Sequence, residues 1–162
     1  MSGSALPSSP LESLAESWRT AWEGGGFARC CTPDVQYEDP LALEPLRGAG
    51  ELEGHAAAMR VALPDVRVER TASAVREGAF GCVPWRILGT QRGPVGGLPA
   101  TDRFLVLHGV HYLELSDGLV RRARGFFDLY DAGIQLGLLP ARGSLGETAL
   151  LMLRGYGLRP RG

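Results

Sequence analysis

The apolar periodicity of the chain changes once, at Pro64, and no other feature restricts the possible folds as strongly. Ahead of it, Leu11, Leu14, Ala15, Trp18, Ala21 and Trp22 fall along one stripe of a helix running from Leu11 to Glu23, which Gly24, Gly25 and Gly26 end. Phe27 to Cys31 leads through Thr32 and Pro33 into a brief strand, Asp34 to Pro40, where Val35 and Tyr37 alternate with polar neighbours. Gly50 to Ala62, rich in Ala, Glu, Met and Leu, reads as a second long helix that stops before Pro64. Past that proline the spacing becomes two. Val66, Val68 and Arg70 alternate towards a turn at Glu77 and Gly78, and Ala79 to Leu88 returns as the second strand of a hairpin. A Gly/Pro-rich loop, Gly89 to Ala100, precedes a strand from Phe104 to Leu115, and Ser116, Asp117 and Gly118 turn into a last strand, Leu119 to Phe127. A short helix follows Asp128 and ends at Gly137. Helices first and a four-strand meander after them imply an α+β fold, with the helices on one face of a curved antiparallel sheet. Alternate strand residues of such a sheet line a cavity suited to a small apolar ligand.

A length of 162 residues allows one domain, and 44% hydrophobic with 22% charged residues is enough to build a core. Residues 1–10 are expected to form a disordered N-terminus, 11–140 the domain, and 141–162 a loosely docked tail whose single apolar burst is Ala149 to Leu153. All 17 basic residues are arginine, and asparagine is absent as well. Schiff-base chemistry, pyridoxal phosphate and a phosphate-binding P-loop all require a lysine, so they are excluded. A net charge of -1, with Arg121, Arg122 and Arg124 as the only basic cluster, argues against nucleic acid as a partner. Cys30, Cys31 and Cys82 provide neither a disulfide framework nor zinc spacing and read as small buried apolar residues. MSGSALPSSP has no charged or apolar leader region, and no apolar run approaches the ~20 residues of a membrane span, so a soluble, cytoplasmic protein is expected.

Several segments resemble the SnoaL-like polyketide cyclases of the NTF2-like superfamily. They are Pro33-Asp34 and Asp39-Pro40 around the short strand, Gly89-Thr90-Gln91-Arg92-Gly93, and Gly97-Leu98-Pro99-Ala100-Thr101-Asp102-Arg103. Val110-His111, the turn Asp117-Gly118, and Asp128 followed by Gln135-Leu136-Gly137 complete the set, which covers Leu11 to Pro140. The resemblance implies a cone-shaped homodimer with an apolar pocket, no metal and no organic cofactor. It also implies ring closure on a polyketide-type intermediate, with a carboxylate that removes a proton beside a carbonyl. In the aldol cyclases that carboxylate lies three residues before the position of Asp128, and here the position is Gly125. A glutamine two residues before His111 is likewise replaced, by Gly109, and the histidine of the Gly-Thr segment by Gln91. Two polar tools have become glycine, from which a less charged and larger pocket is expected. Aldol closure and a pericyclic closure driven by folding of the substrate are both open. A noncatalytic ligand-binding protein is the alternative from another class; an epoxide hydrolase is weaker, because Ala79 to Leu88 carries no carboxylate.

Strand alternation puts Leu105, Leu107, Gly109, His111 and Leu113 on one inward face and His108 on the other. His111 matches the family's pocket histidine and is a candidate catalytic group, either as donor to a carbonyl or as base; a satisfied core histidine is the competing reading. Asp128 is the second catalytic candidate, with a helix cap as its competing role. Gln91 and Leu105 are placed at the pocket, and Arg103 either clamps substrate or pairs with Asp102. Trp18, Tyr37, Trp85 and Phe127 are aromatic positions expected near the cavity, where they would bind substrate or simply pack the core.

Overall fold

The computed structural model describes residues 10–95 and 97–154. Residues 1–9 and 155–162, expected to belong to the N-terminus and the tail, lie outside the described residues. Helix α1 (Pro10–Thr20) begins one residue inside the expected disordered segment, because proline at the first helical position sacrifices no hydrogen bond. It buries Leu11, Leu14, Ala15 and Trp18. The helical path then widens into a five-residue π turn, Ala21–Gly25, rather than continuing as regular helix to Glu23. One 3₁₀ turn, Phe27–Arg29, leads to strand β1 (Cys31–Glu38). Strand β2 (Leu46–Arg47) and helix α2 (Gly48–Ala62) follow, then β3 (Arg67–Arg70), β4 (Val75–Glu77) and β5 (Phe80–Thr90). The second hairpin joins β6 (Phe104–Ser116) to β7 (Leu119–Phe127), and helices α3 (Leu129–Gln135) and α4 (Leu145–Leu153) complete the described chain.

The α+β architecture read from the periodicity is the one observed, with a curved, unclosed sheet in the order β2-β1-β7-β6-β5-β3 and β4 also paired to β5. Its meander is long and regular: β5 and β6 pair from Phe80↔Glu114 to Thr90↔Phe104, and β6 pairs β7 with His111 opposite Gly125. Asp117 and Gly118 both take positive φ at the hairpin turn, 52° and 79°, the left-handed pair that such a two-residue connection needs. One feature departs from an all-antiparallel sheet. β1 runs parallel to β7, with Tyr37 beside Ala123, and thereby brings its C-terminal end against the last strand.

Helices α1 and α2 cover the inner face of the sheet. Trp18, Phe27, Leu52, Leu113 and Val120 are among the residues of the larger core cluster; complete burial of one such side chain is worth roughly 1.5–3 kcal/mol. Ala62, Leu63, Trp85, Leu105, Leu107 and Ala132 form a smaller cluster beside α3. The outer face is different in kind, since Phe80, Phe104, Tyr112 and Phe126 are exposed there, and Phe80 stacks on Tyr112 with centroids 5.8 Å apart. Cys30 and Cys31 are buried, whereas Cys82 is only half-buried because it points to this outer face. The tail segment contains α4, capped by Ser144 accepting from the Glu147 N–H, and no residue of that helix is buried.

Candidate functional site

A cavity of about 300 Å³ opens where the two core clusters meet, at the lower end of the usual range for small-molecule sites. Trp22, Met59, Trp85, Leu107 and Phe127 give it apolar walls, and the exposed Leu41 and Leu129 mark its mouth. Five polar side chains face it: Tyr37, Asp39, His55, Gln91 and His111. Strand parity explains His111, while the parallel docking of β1 explains Tyr37 and Asp39. His55 lies one helical turn before Met59 and two before Ala62, so α2 presents all three to the cavity.

A continuous hydrogen-bond chain joins four of these elements. The Trp18 indole N–H donates to His111 Nδ1 at 3.0 Å, so the neutral imidazole carries its proton on Nε2, which lies 3.3 Å from the Tyr37 hydroxyl. Tyr37 in turn donates to Asp39 Oδ2 at 3.0 Å, and His55 Nε2 meets the same oxygen at 2.7 Å. The other carboxylate oxygen of Asp39 accepts the backbone N–H groups of Leu41 and Ala42, both at 2.8 Å. Burial alone would raise the Asp39 pKa, but the hydrogen bond from His55 together with the two backbone N–H groups holds it below the usual carboxylate value. Burial of His111 pushes its pKa down to about 3 against the opposing pull of Asp39, so the ring is neutral at ordinary pH. Burial and the neighbouring Asp39 charge raise the Tyr37 pKa.

The two glycines that replace polar groups do not enlarge the pocket as expected. A Cβ on Gly125 would sit 2.7 Å from the Tyr37 hydroxyl and 3.2 Å from Asp39 Cβ. One on Gly109 would sit 2.3 Å from the Trp85 indole. Each glycine is filled by an aromatic side chain from a neighbouring strand, which restores wall rather than removing it.

Of the residues expected at the site, Tyr37, Trp85, Gln91, Leu105, Phe127 and His111 line the cavity. Gln91 does so with its amide fully engaged: it donates to the Gly93 and Pro99 carbonyls and accepts from both the backbone and the hydroxyl of Thr101, clamping the loop that follows β5. Trp18 is a correction, since it lies behind His111 rather than in the wall. Arg103 is a second, being exposed beside Gly137 at the end of α3, away from the cavity and with no ion pair to Asp102 among the described residues. Asp128 is a third. It caps α3 by accepting from the Asp131 N–H at 2.9 Å and pairs with Arg142 at 3.2 Å, half exposed and outside the cavity. The sequence reading missed the roles of Asp39 and His55, although the helical spacing of His55 with Met59 and Ala62 carried a signal. Among the described residues no three His, Cys, Asp or Glu side chains converge as metal ligands.

The sequence pattern of SnoaL-like polyketide cyclases matches residues 11–136, which include every cavity-lining residue. The chain belongs to the SnoaL-like polyketide cyclase family. Solved structures agree on the fold of this family member. TsrD from Streptomyces laurentii is 23% identical, covers 83% of this chain and 100% of its own, and superposes with a TM-score of 0.72. A protein of ketosteroid isomerase-like fold from Catenulispora acidiphila is 19% identical over 81% of this chain and 96% of its own, with a TM-score of 0.66. IdmH from Streptomyces antibioticus is 19% identical over 82% and 99%, with a TM-score of 0.63. No curated protein matches the sequence. Among the described residues no helix of this cyclase-family chain is long and apolar enough to cross a membrane.

Proposed function

We propose that this chain closes a ring on a polyketide-type intermediate held in the apolar cavity, by intramolecular aldol addition. The observation that carries the reading is the asymmetry of the cavity: its walls are aromatic and aliphatic, and four of its five polar side chains, Tyr37, His55, His111 and Asp39, are joined in one hydrogen-bond chain through the buried carboxylate of Asp39. Apolar walls fold a flexible substrate so that its two reacting carbons meet, which can lower the barrier by several kcal/mol. A polar corner supplies what an aldol closure needs in addition, a group that takes a proton from the carbon beside a carbonyl. Pericyclic closure would need only the walls. Family membership supports a cyclase over a noncatalytic binder, and the exposed aromatic outer face supports a homodimer in which that face is covered.

Deleting the gene, isolating the intermediate that accumulates and incubating it with the purified protein tests the reading. An isomeric ring product with a new carbon–carbon bond and a retained hydroxyl, or its dehydration product, is expected. Binding without turnover would overturn catalysis, and a cycloadduct would replace the aldol route by the pericyclic one.

A further inference from the structure

Most polar atoms facing the cavity already have partners within the protein. Both oxygens of Asp39 are engaged, Oδ1 with two backbone N–H groups and Oδ2 with Tyr37 and His55. The Tyr37 hydroxyl donates to Asp39 and accepts from His111, whose other ring nitrogen is occupied by Trp18. Gln91 uses its whole amide on its own loop. Only His55 keeps a ring nitrogen, Nδ1, without a partner among the described residues. With the Asp39 carboxylate accepting from Nε2–H, the proton of the neutral ring is held at Nε2 and the lone pair is on Nδ1. The carboxylate is 4% exposed and the imidazole 20%, so the pair has a fixed inner member and a more accessible outer one.

We propose that His55 is the catalytic residue that moves the proton, acting through Nδ1, with Asp39 as its positioning carboxylate; this rests on the aldol reading of the site. In the first step a C–H bond beside a substrate carbonyl breaks: the proton goes to Nδ1 and the electron pair forms an enolate. The enolate carbon attacks a second carbonyl of the same molecule, making the new carbon–carbon bond and leaving an alkoxide. That alkoxide takes the proton back from Nδ1, so the product is an isomer of the substrate and His55 is regenerated. Asp39 stabilises the transient imidazolium through the Nε2–H bond, as a buried carboxylate does for a histidine base. Two lining indoles, Trp22 and Trp85, hold buried N–H groups with no partner among the described residues, the donor type that a ligand rich in carbonyl oxygens would satisfy.

The test uses the full-length protein in D2O with benzylacetone, a small aryl ketone, as the probe. Its binding is followed by tryptophan fluorescence and its α-hydrogen exchange by proton NMR. The wild-type protein is expected to exchange the α-hydrogens at a saturable rate above buffer. His55→Gln should lose at least about 100-fold of that rate while its ketone affinity stays within about threefold, because removal of a general base typically costs about 10²–10⁴. Asp39→Asn should lower the rate with affinity retained, the split expected of a positioning residue, and Asp128→Asn should exchange as the wild type does. Folded His55→Gln or His55→Phe protein that exchanges at the wild-type rate overturns the proposal, as does wild-type protein that binds the ketone without exchange or takes none. Ring closure on the natural intermediate is scored separately. Protein that exchanges the ketone in a His55-dependent way but leaves the intermediate uncyclised refutes the cyclase reading alone.

Discussion

The hydroxyl of Tyr37 lies 2.7 Å from the point at which a side chain on residue 125 would begin. Residue 125 is opposite His111 in the β6–β7 ladder, and the hydroxyl fills the space above it to reach both His111 and Asp39. Glycine there is a condition for the hydrogen-bond chain rather than a simple loss of function.

Gly125→Ala is therefore expected to destabilise the fold by about 1–3 kcal/mol, the usual cost of forcing atoms into a packed interior. The same substitution in a Tyr37→Phe background should cost less, because the colliding oxygen is gone, and the two effects should be non-additive. Urea unfolding of the four proteins measures this. A Gly125→Ala midpoint equal to that of the wild type would show that Tyr37 does not need the space.

His111 makes stability pH-dependent with a definite sign. Its folded pKa, about 3, lies below the unfolded imidazole value of about 6.5, so between them the unfolded chain binds a proton that the native state refuses. Stability is full above the unfolded value and falls as pH drops through that interval, by at most roughly 4–5 kcal/mol over the whole of it. His111→Gln retains an acceptor for Trp18 and a donor for Tyr37 but cannot titrate, and should flatten the dependence between pH 7 and pH 5. Asp39 and Tyr37, the ionisable neighbours, are common to both proteins, so the difference in urea midpoint isolates His111. Parallel curves would place its titration elsewhere.

Trp85→Ala should harm ring closure more than Asp128→Asn. The indole lines the cavity and fills the space over Gly109, so truncation removes wall and leaves a void, at a cost of about 3–5 kcal/mol in stability. Asp128 is half exposed, and asparagine caps a helix about as well as aspartate does. Activity of the Asn variant within about twofold of wild type is expected under saturating substrate. A folded Asp128→Asn protein reduced by ~1000-fold would return Asp128 to the chemistry.

The exposed aromatic patch of Phe80, Phe104, Tyr112 and Phe126 predicts a dimer formed through the outer face of β5, β6 and β7. Light scattering at micromolar concentration should give twice the chain mass, and Phe126→Asp should give monomer with an unchanged circular dichroism spectrum. A wild-type monomer would contradict the prediction.

Local pattern carried a great deal of this protein. Apolar spacing of two or of three to four residues reports which face of a strand or helix is buried, so the two long helices, the meander, the Asp117-Gly118 turn and the inward face of His111 were legible in the sequence, whereas β2, the break between β3 and β4, and α4 were not. Capping is local as well, and Asp128 could be read as a cap from the helix that follows it. Partnership is not local. Tyr37 and His111 are 74 residues apart, and they meet because β1 docks parallel to β7, a choice of sheet edge that no periodicity within β1 expresses. His55 meets Asp39 because α2 folds back over the end of β1 at a distance set by side-chain packing. Hydrogen bonds depend on tenths of an ångström and on which atoms already have partners, so the sequence determined the layers and the tertiary structure alone decided which nitrogen was left free.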